Sequence, residues 1–156
     1  FDDAAVREDF SRRFLGHGIA PQRIVFAGFT PDPHAYLTAY HDIDIALDTT
    51  PFNGGTTSYE AIWMGVPVLT LAGERLMGRQ TASLMTGIGH PEFVTESKQA
   101  FVAQAFKLTR QLDVLTEDRA ALRARAAATI FNAAGYTRTL EEAVRAAWTE
   151  LCASEP

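Results

Sequence analysis

Short apolar runs alternate along this chain with stretches of helical periodicity, and that alternation restricts the fold more than any other feature. The runs are Ile24-Val25-Phe26-Ala27-Gly28, Ile43-Asp44-Ile45-Ala46-Leu47 and Val66-Pro67-Val68-Leu69-Thr70-Leu71, with Phe93-Val94 as a shorter fourth. Runs of this length bounded by proline, glycine or polar residues suit strands buried on both faces of a parallel sheet. Pro67 stands near the start of its run, where a strand tolerates proline. Val6, Phe10 and Phe14 share one face of a helix over residues 3–16. Asp32-Pro33 reads as an N-cap followed by proline at the first helical position, opening a short helix to about Tyr40. Further helices are expected over Thr56 to Met64, over 76–86, from Ser97 as cap to Leu112, from Thr116 as cap to Ile130, and over 137–151. The order strand, helix, strand, helix, strand, helix, then helices alone predicts an α/β fold with a doubly wound parallel sheet.

At 156 residues the chain has the scale of one domain, and residues 1–156 are read as one. It opens on Phe1-Asp2-Asp3, without an initiating Met or a basic-then-apolar leader. It therefore reads as a piece of a longer protein. A net charge of -5 argues against nucleic acid as the main partner, since phosphate backbones select basic surfaces. A local pocket for one nucleotide remains compatible with it. No apolar run approaches the roughly 20 residues that span a bilayer. The single cysteine, Cys152, has no partner for an internal disulfide, which fits a reducing compartment. A cytoplasmic protein without membrane contact is the expectation. Cys152 itself reads as a free thiol on a terminal helix, and Arg119, Arg123 and Arg125 as a solvated helix face.

The chemistry concentrates in one segment. Open parallel sheets bind ligands at the carboxyl ends of their strands. The second run ends at Leu47-Asp48, and Thr49-Thr50-Pro51-Phe52-Asn53-Gly54-Gly55-Thr56-Thr57-Ser58-Tyr59-Glu60 follows. The glycines permit a tight turn and a close approach of backbone to ligand. The helix that opens next offers unpaired amides and a partial positive charge, and Thr56 and Thr57 add hydroxyl donors. Two readings stand on these residues alone: an anion cradle whose amides face an unfilled pocket, and a plain helix cap after a loop. Glu60 suits the two hydroxyls of a ribose, or simply complements the helix start. The chain is read as having no histidine pair at ligand spacing, no cysteine cluster and no Asp-x-Asp motif to hold a divalent cation by a diphosphate, so no metal is expected. No residue is assigned as catalytic base: Asp48 reads as a loop cap and His90 as a solvent-facing turn residue. Trp63, Ala61 and Ile62 are expected to pack their helix on the sheet, and Phe101, Phe106, Trp148 and Leu151 to join the core.

Asp44-Ile45-Ala46-Leu47-Asp48, Pro51-Phe52-Asn53-Gly54-Gly55-Thr56-Thr57 and Glu60-Ala61-Ile62-Trp63-Met64-Gly65-Val66-Pro67-Val68 together resemble the O-linked N-acetylglucosamine (O-GlcNAc) transferase family. The likeness is strongest to bacterial members whose catalytic region follows tetratricopeptide repeats. It continues through Leu71 to Arg75 and Arg79 to Leu84, and returns at Phe131-Asn132 and Tyr136-Thr137. It implies the GT-B fold, two Rossmann-like domains around a cleft, with this chain as the C-terminal donor-binding domain. It implies inverting transfer of N-acetylglucosamine from UDP-GlcNAc to Ser or Thr hydroxyls of proteins, with no metal or other cofactor. The partners implied are the UDP-sugar, an acceptor polypeptide, and the protein's own N-terminal catalytic domain and repeats.

By the same resemblance, Gly54, Gly55, Thr56, Thr57 and Ser58 would hold the diphosphate and Glu60 the ribose. The backbone of Phe29 and Thr30 would read the uracil and Tyr36 stack on it, with His34 as the other stacking candidate. Asn53 and Arg79 are further candidates. Many relatives carry histidine where this chain has Gly55, which leaves only backbone there. The family's diphosphate lysine lies N-terminal to this stretch. Two other readings keep the fold: a UDP-sugar epimerase or hydrolase, for which no convincing carboxylate pair is present, and a non-catalytic nucleotide-binding or interaction module.

Overall fold

A computed structural model of the chain describes residues 2–154. They fall into two compact units that divide between Thr38 and Ala39.

In the first unit, helix α1 (Ala4–Gly16) starts at Asp3, whose carboxylate accepts the Ala5 amide at 2.7 Å. Helix α2 (Pro33–Thr38) starts as expected: the Asp32 carboxylate accepts the amides of His34 and Ala35. The run Ile24 to Gly28 corrects the expectation of a buried strand. It is not a strand of the β1-β2-β3 sheet, and Val25 is 92% exposed. Its backbone is extended at Ile24 (φ -110°, ψ 123°). An extended segment becomes a strand only when a neighbouring strand forms a regular ladder with it.

The second unit carries the sheet and the core. In chain order it runs β1 (Ala46–Leu47), α3 (Thr56–Trp63), β2 (Val68–Leu71), α4 (Gln80–Gly87), β3 (Val94–Thr95), α5 (Lys98–Leu108), α6 (Leu112–Glu117), α7 (Arg119–Ala128) and α8 (Ala133–Ser154). The strands pair in parallel in the order β1-β2-β3, with Ala46 opposite Val68 and Thr70 opposite Val94. As the central strand, β2 is covered on both faces, and Val68, Leu69 and Thr70 are buried. Ala61 and Ile62 of α3, Leu84 and Met85 of α4, Phe93, Leu108 of α5, and Leu122 and Ala126 of α7 complete the core.

The strands are shorter than the apolar runs. Pro67 has no N–H to give, but its carbonyl accepts the Ala46 amide at 3.0 Å, so β2 itself begins at Val68. Before β1, the carbonyls of Tyr40, His41 and Ile43 are taken by the Arg119 guanidinium, at 2.6, 3.4 and 2.9 Å. The chain is therefore bent there. Arg119 is thus a buried-facing clamp and not part of a solvated face. Of its neighbours, Arg123 lies 4.4 Å over the Trp63 ring and Arg125 pairs with Asp118 at 3.0 Å.

Three further expectations need correction. Thr116 lies inside α6, and the break before α7 falls at Asp118. The last helix begins earlier than residue 137, where the Asn132 side-chain oxygen accepts the Gly135 amide at 2.9 Å. Phe106, Trp148 and Leu151 are 62%, 66% and 54% exposed, and the Phe106 ring packs under the Arg110 guanidinium, 4.6 Å from its centroid, and not in the core. Phe101 does pack against the core, and Trp63 meets Phe131 edge-on with centroids 5.0 Å apart. Cys152 is an exposed free thiol on α8.

Candidate functional site

At the carboxyl end of the sheet, one carboxylate organises the loop between β1 and α3. Asp48 Oδ1 accepts the Thr49 amide at 3.0 Å and the Gly54 amide at 2.7 Å, and its Oδ2 accepts the Thr70 hydroxyl of β2 at 2.7 Å. The Thr70 carbonyl in turn accepts the Thr95 hydroxyl of β3 at 2.8 Å. All three strand ends are thereby joined to one loop. Inside the loop, the Thr49 hydroxyl donates to the Phe52 carbonyl and Asn53 Nδ2 to the Thr49 carbonyl. The Asn53 amide donates to the Met77 carbonyl. Gly54 is held on its other side too, since its carbonyl accepts the Thr81 hydroxyl at 3.2 Å. A Cβ on Gly54 would lie 2.5 Å from Ser58 Oγ and 2.9 Å from Thr57 Oγ1, so this position requires glycine for space.

This bonding leaves a definite remainder. The Ser58 and Tyr59 amides both donate to the Gly55 carbonyl, at 2.9 and 3.3 Å. The amides of Gly55, Thr56 and Thr57 have no acceptor among the described residues, and no side chain caps the helix. Orphan donors at the positive end of a helix have the chemistry that suits an anion. Thr56 and Thr57 are exposed, and Glu60 stands half-buried one turn further on.

The sequence candidates divide accordingly. Gly54, Gly55, Thr56, Thr57 and Glu60 come together on one loop and helix start. Ser58 is corrected: its hydroxyl points inward, is buried, and shares a hydrogen bond of 3.0 Å with Thr81. It supports the loop and has no donor left for a ligand. Asn53 is buried behind the loop, with Oδ1 unpaired. Arg79 is exposed, and its guanidinium donates to the Gly73 carbonyl at 3.0 Å. Phe29, Thr30, His34 and Tyr36 belong to the first unit, where Phe29 is 81% exposed and Tyr36 half-buried.

Two of the clefts in the second unit take in residues of this loop and helix. One, of about 660 Å³, is lined by Thr50, Pro51, Gly73, Gly78, Glu96 and Lys98 among others. The other, of about 830 Å³, includes Tyr59, Leu76, Arg79, Gln80, Ser83 and Thr86. Thr50 and Pro51 before the cradle line the first and Tyr59 after it the second, while Gly55, Thr56 and Thr57 line neither.

Other residues also depart from expectation. The His90 side chain is only 15% exposed. Its Nδ1 lies 2.7 Å from Glu92 Oε1, and its Nε2 is buried without a partner. Asp42-Ile43-Asp44 is an Asp-x-Asp motif, which corrects the expectation that none occurs. Both residues are exposed, and no group of three or more potential metal ligands occurs among the described residues. Thr70, Thr81 and Thr95, which anchor the loop, were missed. Their signal is the presence of hydroxyl residues inside otherwise apolar elements.

Comparison with known proteins narrows the reading. Residues 4–140 match the model of glycosyl transferase family 41. A probable UDP-N-acetylglucosamine–peptide N-acetylglucosaminyltransferase SPINDLY of Oryza sativa subsp. japonica is 32% identical over 149 residues, which cover 95% of this chain and 16% of that protein. The UDP-N-acetylglucosamine–peptide N-acetylglucosaminyltransferase of Caenorhabditis elegans is 30% identical over 143 residues, 90% of this chain and 12% of that one. Among solved structures, a mutant O-GlcNAc transferase of Thermobaculum terrenum superposes with a TM-score of 0.84 at 36% identity, over 97% of this chain and 29% of that chain. This chain therefore spans a sixth or less of the curated relatives it matches here.

Proposed function

This chain belongs to glycosyl transferase family 41, and we propose that it is the donor-binding domain, over residues 1–156, of an inverting transferase that moves N-acetylglucosamine from UDP-GlcNAc to Ser or Thr hydroxyls of proteins. One observation carries the reading: three unpaired amides open α3 directly after a turn that Asp48 and Thr81 lock from both sides. In this reading the diphosphate sits on the amides of Gly55, Thr56 and Thr57 and on the two threonine hydroxyls. The Glu60 carboxylate accepts the ribose hydroxyls. The backbone of Phe29 and Thr30 and the ring of Tyr36 take the uracil, with His34 as the alternative ring. Asn53 and Arg79 act behind the site, through the loop and the Gly73 turn that they hold.

The chemistry required of such a domain is electrostatic. As the glycosidic bond breaks, negative charge grows on the UDP leaving group. Fixed dipoles already aimed at that charge stabilise the transition state more than the ground state and need no reorganisation. The reading calls on no metal or other cofactor. It assigns the remaining charge neutralisation, the catalytic base and the acceptor groove to an N-terminal catalytic domain, preceded by tetratricopeptide repeats, in a protein of the cytoplasm. No helix among the described residues is long and apolar enough to cross a membrane.

Calorimetric titration of the full-length protein with UDP tests the site. Thr56→Ala/Thr57→Ala and Glu60→Ala should each weaken UDP by roughly 10- to 100-fold, the loss of about 1.5–3 kcal/mol per hydrogen bond to a charged group. Unchanged affinity in well-folded variants would overturn the assignment.

A further inference from the structure

The proposed site depends on the direction in which a helix of eight residues points, and one residue outside the cradle holds that helix at both ends. Just beyond the carboxyl end of α3, Gly65 has φ +77°, and its backbone packs so closely on Arg119 that a Cβ there would lie 2.7 Å from the Arg119 carbonyl oxygen. At the amino end, the Tyr40 hydroxyl donates to the Thr57 carbonyl at 3.4 Å. Tyr40 belongs to the bent turn before β1, and that turn is held by the Arg119 guanidinium through the carbonyls of Tyr40, His41 and Ile43. Arg119 makes no ion pair among the described residues, and all of its side-chain hydrogen bonds go to this turn. A planar fork with several donors suits three carbonyls in fixed positions, whereas an ammonium group serves them poorly.

We propose that Arg119 is a positioning residue for the anion cradle, which it orients through Tyr40 and the Thr57 carbonyl. The inference rests on the reading of Gly55, Thr56 and Thr57 as the diphosphate site, and adds a device 62 positions along the chain from Thr57 that sets their aim. The side chain of Arg119 touches no candidate ligand group. Its influence passes through the turn, and an arginine that merely stiffened the fold would leave UDP affinity alone at temperatures where the protein stays folded.

The test uses the full-length protein and UDP, titrated calorimetrically well below the melting temperature of every variant. Arg119→Ala and Tyr40→Phe should each weaken UDP by about 3- to 10-fold, the range for one or two neutral hydrogen bonds. Tyr40→Phe removes a single oxygen and keeps the test available if Arg119→Ala does not fold. In the Tyr40→Phe background, Arg119→Ala should add less than a further 2-fold, since both act on one path. Arg119→Lys should recover part of the loss. Arg123→Ala, on the same helix but stacked on Trp63, should leave UDP affinity unchanged. Full affinity in folded Tyr40→Phe and Arg119→Ala, additive losses in the double variant, or an equal loss in Arg123→Ala would each refute the inference. Thr56→Ala/Thr57→Ala separates the two levels: if it too leaves UDP affinity intact, the site reading is what has failed.

Discussion

Replacing Asp48 by alanine removes the one group that ties the ends of the strands to the cradle. Two of its three hydrogen bonds are short, 2.7 Å to the Gly54 amide and 2.7 Å to the Thr70 hydroxyl. Thr70 is fully buried, so its hydroxyl stays out of water after its acceptor is gone. Bonds to a charged group contribute about 1.5–3 kcal/mol each. The half-buried position of Asp48 argues for the lower end, and the exposed bond to Thr49 adds little. Asp48→Ala should therefore destabilise the domain by about 3–4 kcal/mol, which for a domain of this size lowers the melting temperature by roughly 6–16 °C. Asp48→Asn keeps an acceptor for Gly54 but turns a donor toward Thr70, whose hydroxyl must then find another acceptor. It should cost about 1–2 kcal/mol. Circular dichroism melts read the stability, and UDP titration of the same full-length variants reads the function. Both variants should bind UDP more weakly, alanine more than asparagine, because the Gly54 plane sets where the next three amides point. A loss in Asp48→Ala below about 1 kcal/mol, the size of an ordinary exposed bond, would refute the claim that this carboxylate organises the loop. Full UDP affinity in a destabilised but folded Asp48→Ala would refute the link from loop to cradle.

The two cradle glycines should respond unequally to added volume. At Gly54 a methyl group meets the Ser58 hydroxyl at 2.5 Å, and that hydroxyl is buried and committed to Thr81. Gly54→Ala should cost about 1–3 kcal/mol in denaturant titration and weaken UDP. At Gly55 the only atom near an added Cβ is Gln80 Oε1 at 3.4 Å, so Gly55→Ala should cost less than Gly54→Ala by the same measurement. Gly65→Ala combines a left-handed backbone (φ +77°) with a backbone oxygen at 2.7 Å. About 2–5 kcal/mol should be lost, seen as a lower denaturation midpoint, and a loss under about 1 kcal/mol would contradict the packing of Gly65 on Arg119.

What could be read from the sequence was mostly local. Asp32 and Ser97 cap their helices as their positions foretold, with Ser97 Oγ accepting the Ala100 amide at 3.1 Å. The central strand was visible because a strand covered on both faces has to be apolar throughout. The helix start at Thr56 was visible because two glycines and two threonines after a strand leave few alternatives. The failures share a cause: each required knowledge of what lies opposite. An apolar run such as Ile24 to Gly28 reports a need for cover, and the stripe of Leu140, Val144 and Trp148 on α8 does the same, yet neither says which segment supplies it. Ser58 differs from Thr57 by one position on a helix, and which of the two turns inward is fixed by how α3 lies on the sheet. The clamp formed by Arg119 spans 76 or more positions and has no local signature.

The electrostatics of the site follow from which of its donors are already committed. The chain is acidic overall, and a carboxylate stands inside the very loop proposed to receive a diphosphate. Left bare, that charge would oppose the ligand. It is instead surrounded by donors: two amides on Oδ1 and a hydroxyl on Oδ2. Those bonds disperse its charge toward the sheet and fix the Gly54 peptide. The amides that the carboxylate does not take, those of Gly55, Thr56 and Thr57, are the ones left facing outward at the positive end of α3. Asp48 and the anion thus do not compete for the same donors. The carboxylate consumes the one amide that shapes the turn, and the helix offers the next three. Affinity for a polyanion on an acidic protein then rests on oriented dipoles, whose strength depends on how firmly the loop and helix are held. This is why the residues that aim the helix, Asp48 from the strand side and Arg119 from behind, matter as much to the reading as those that would touch the ligand.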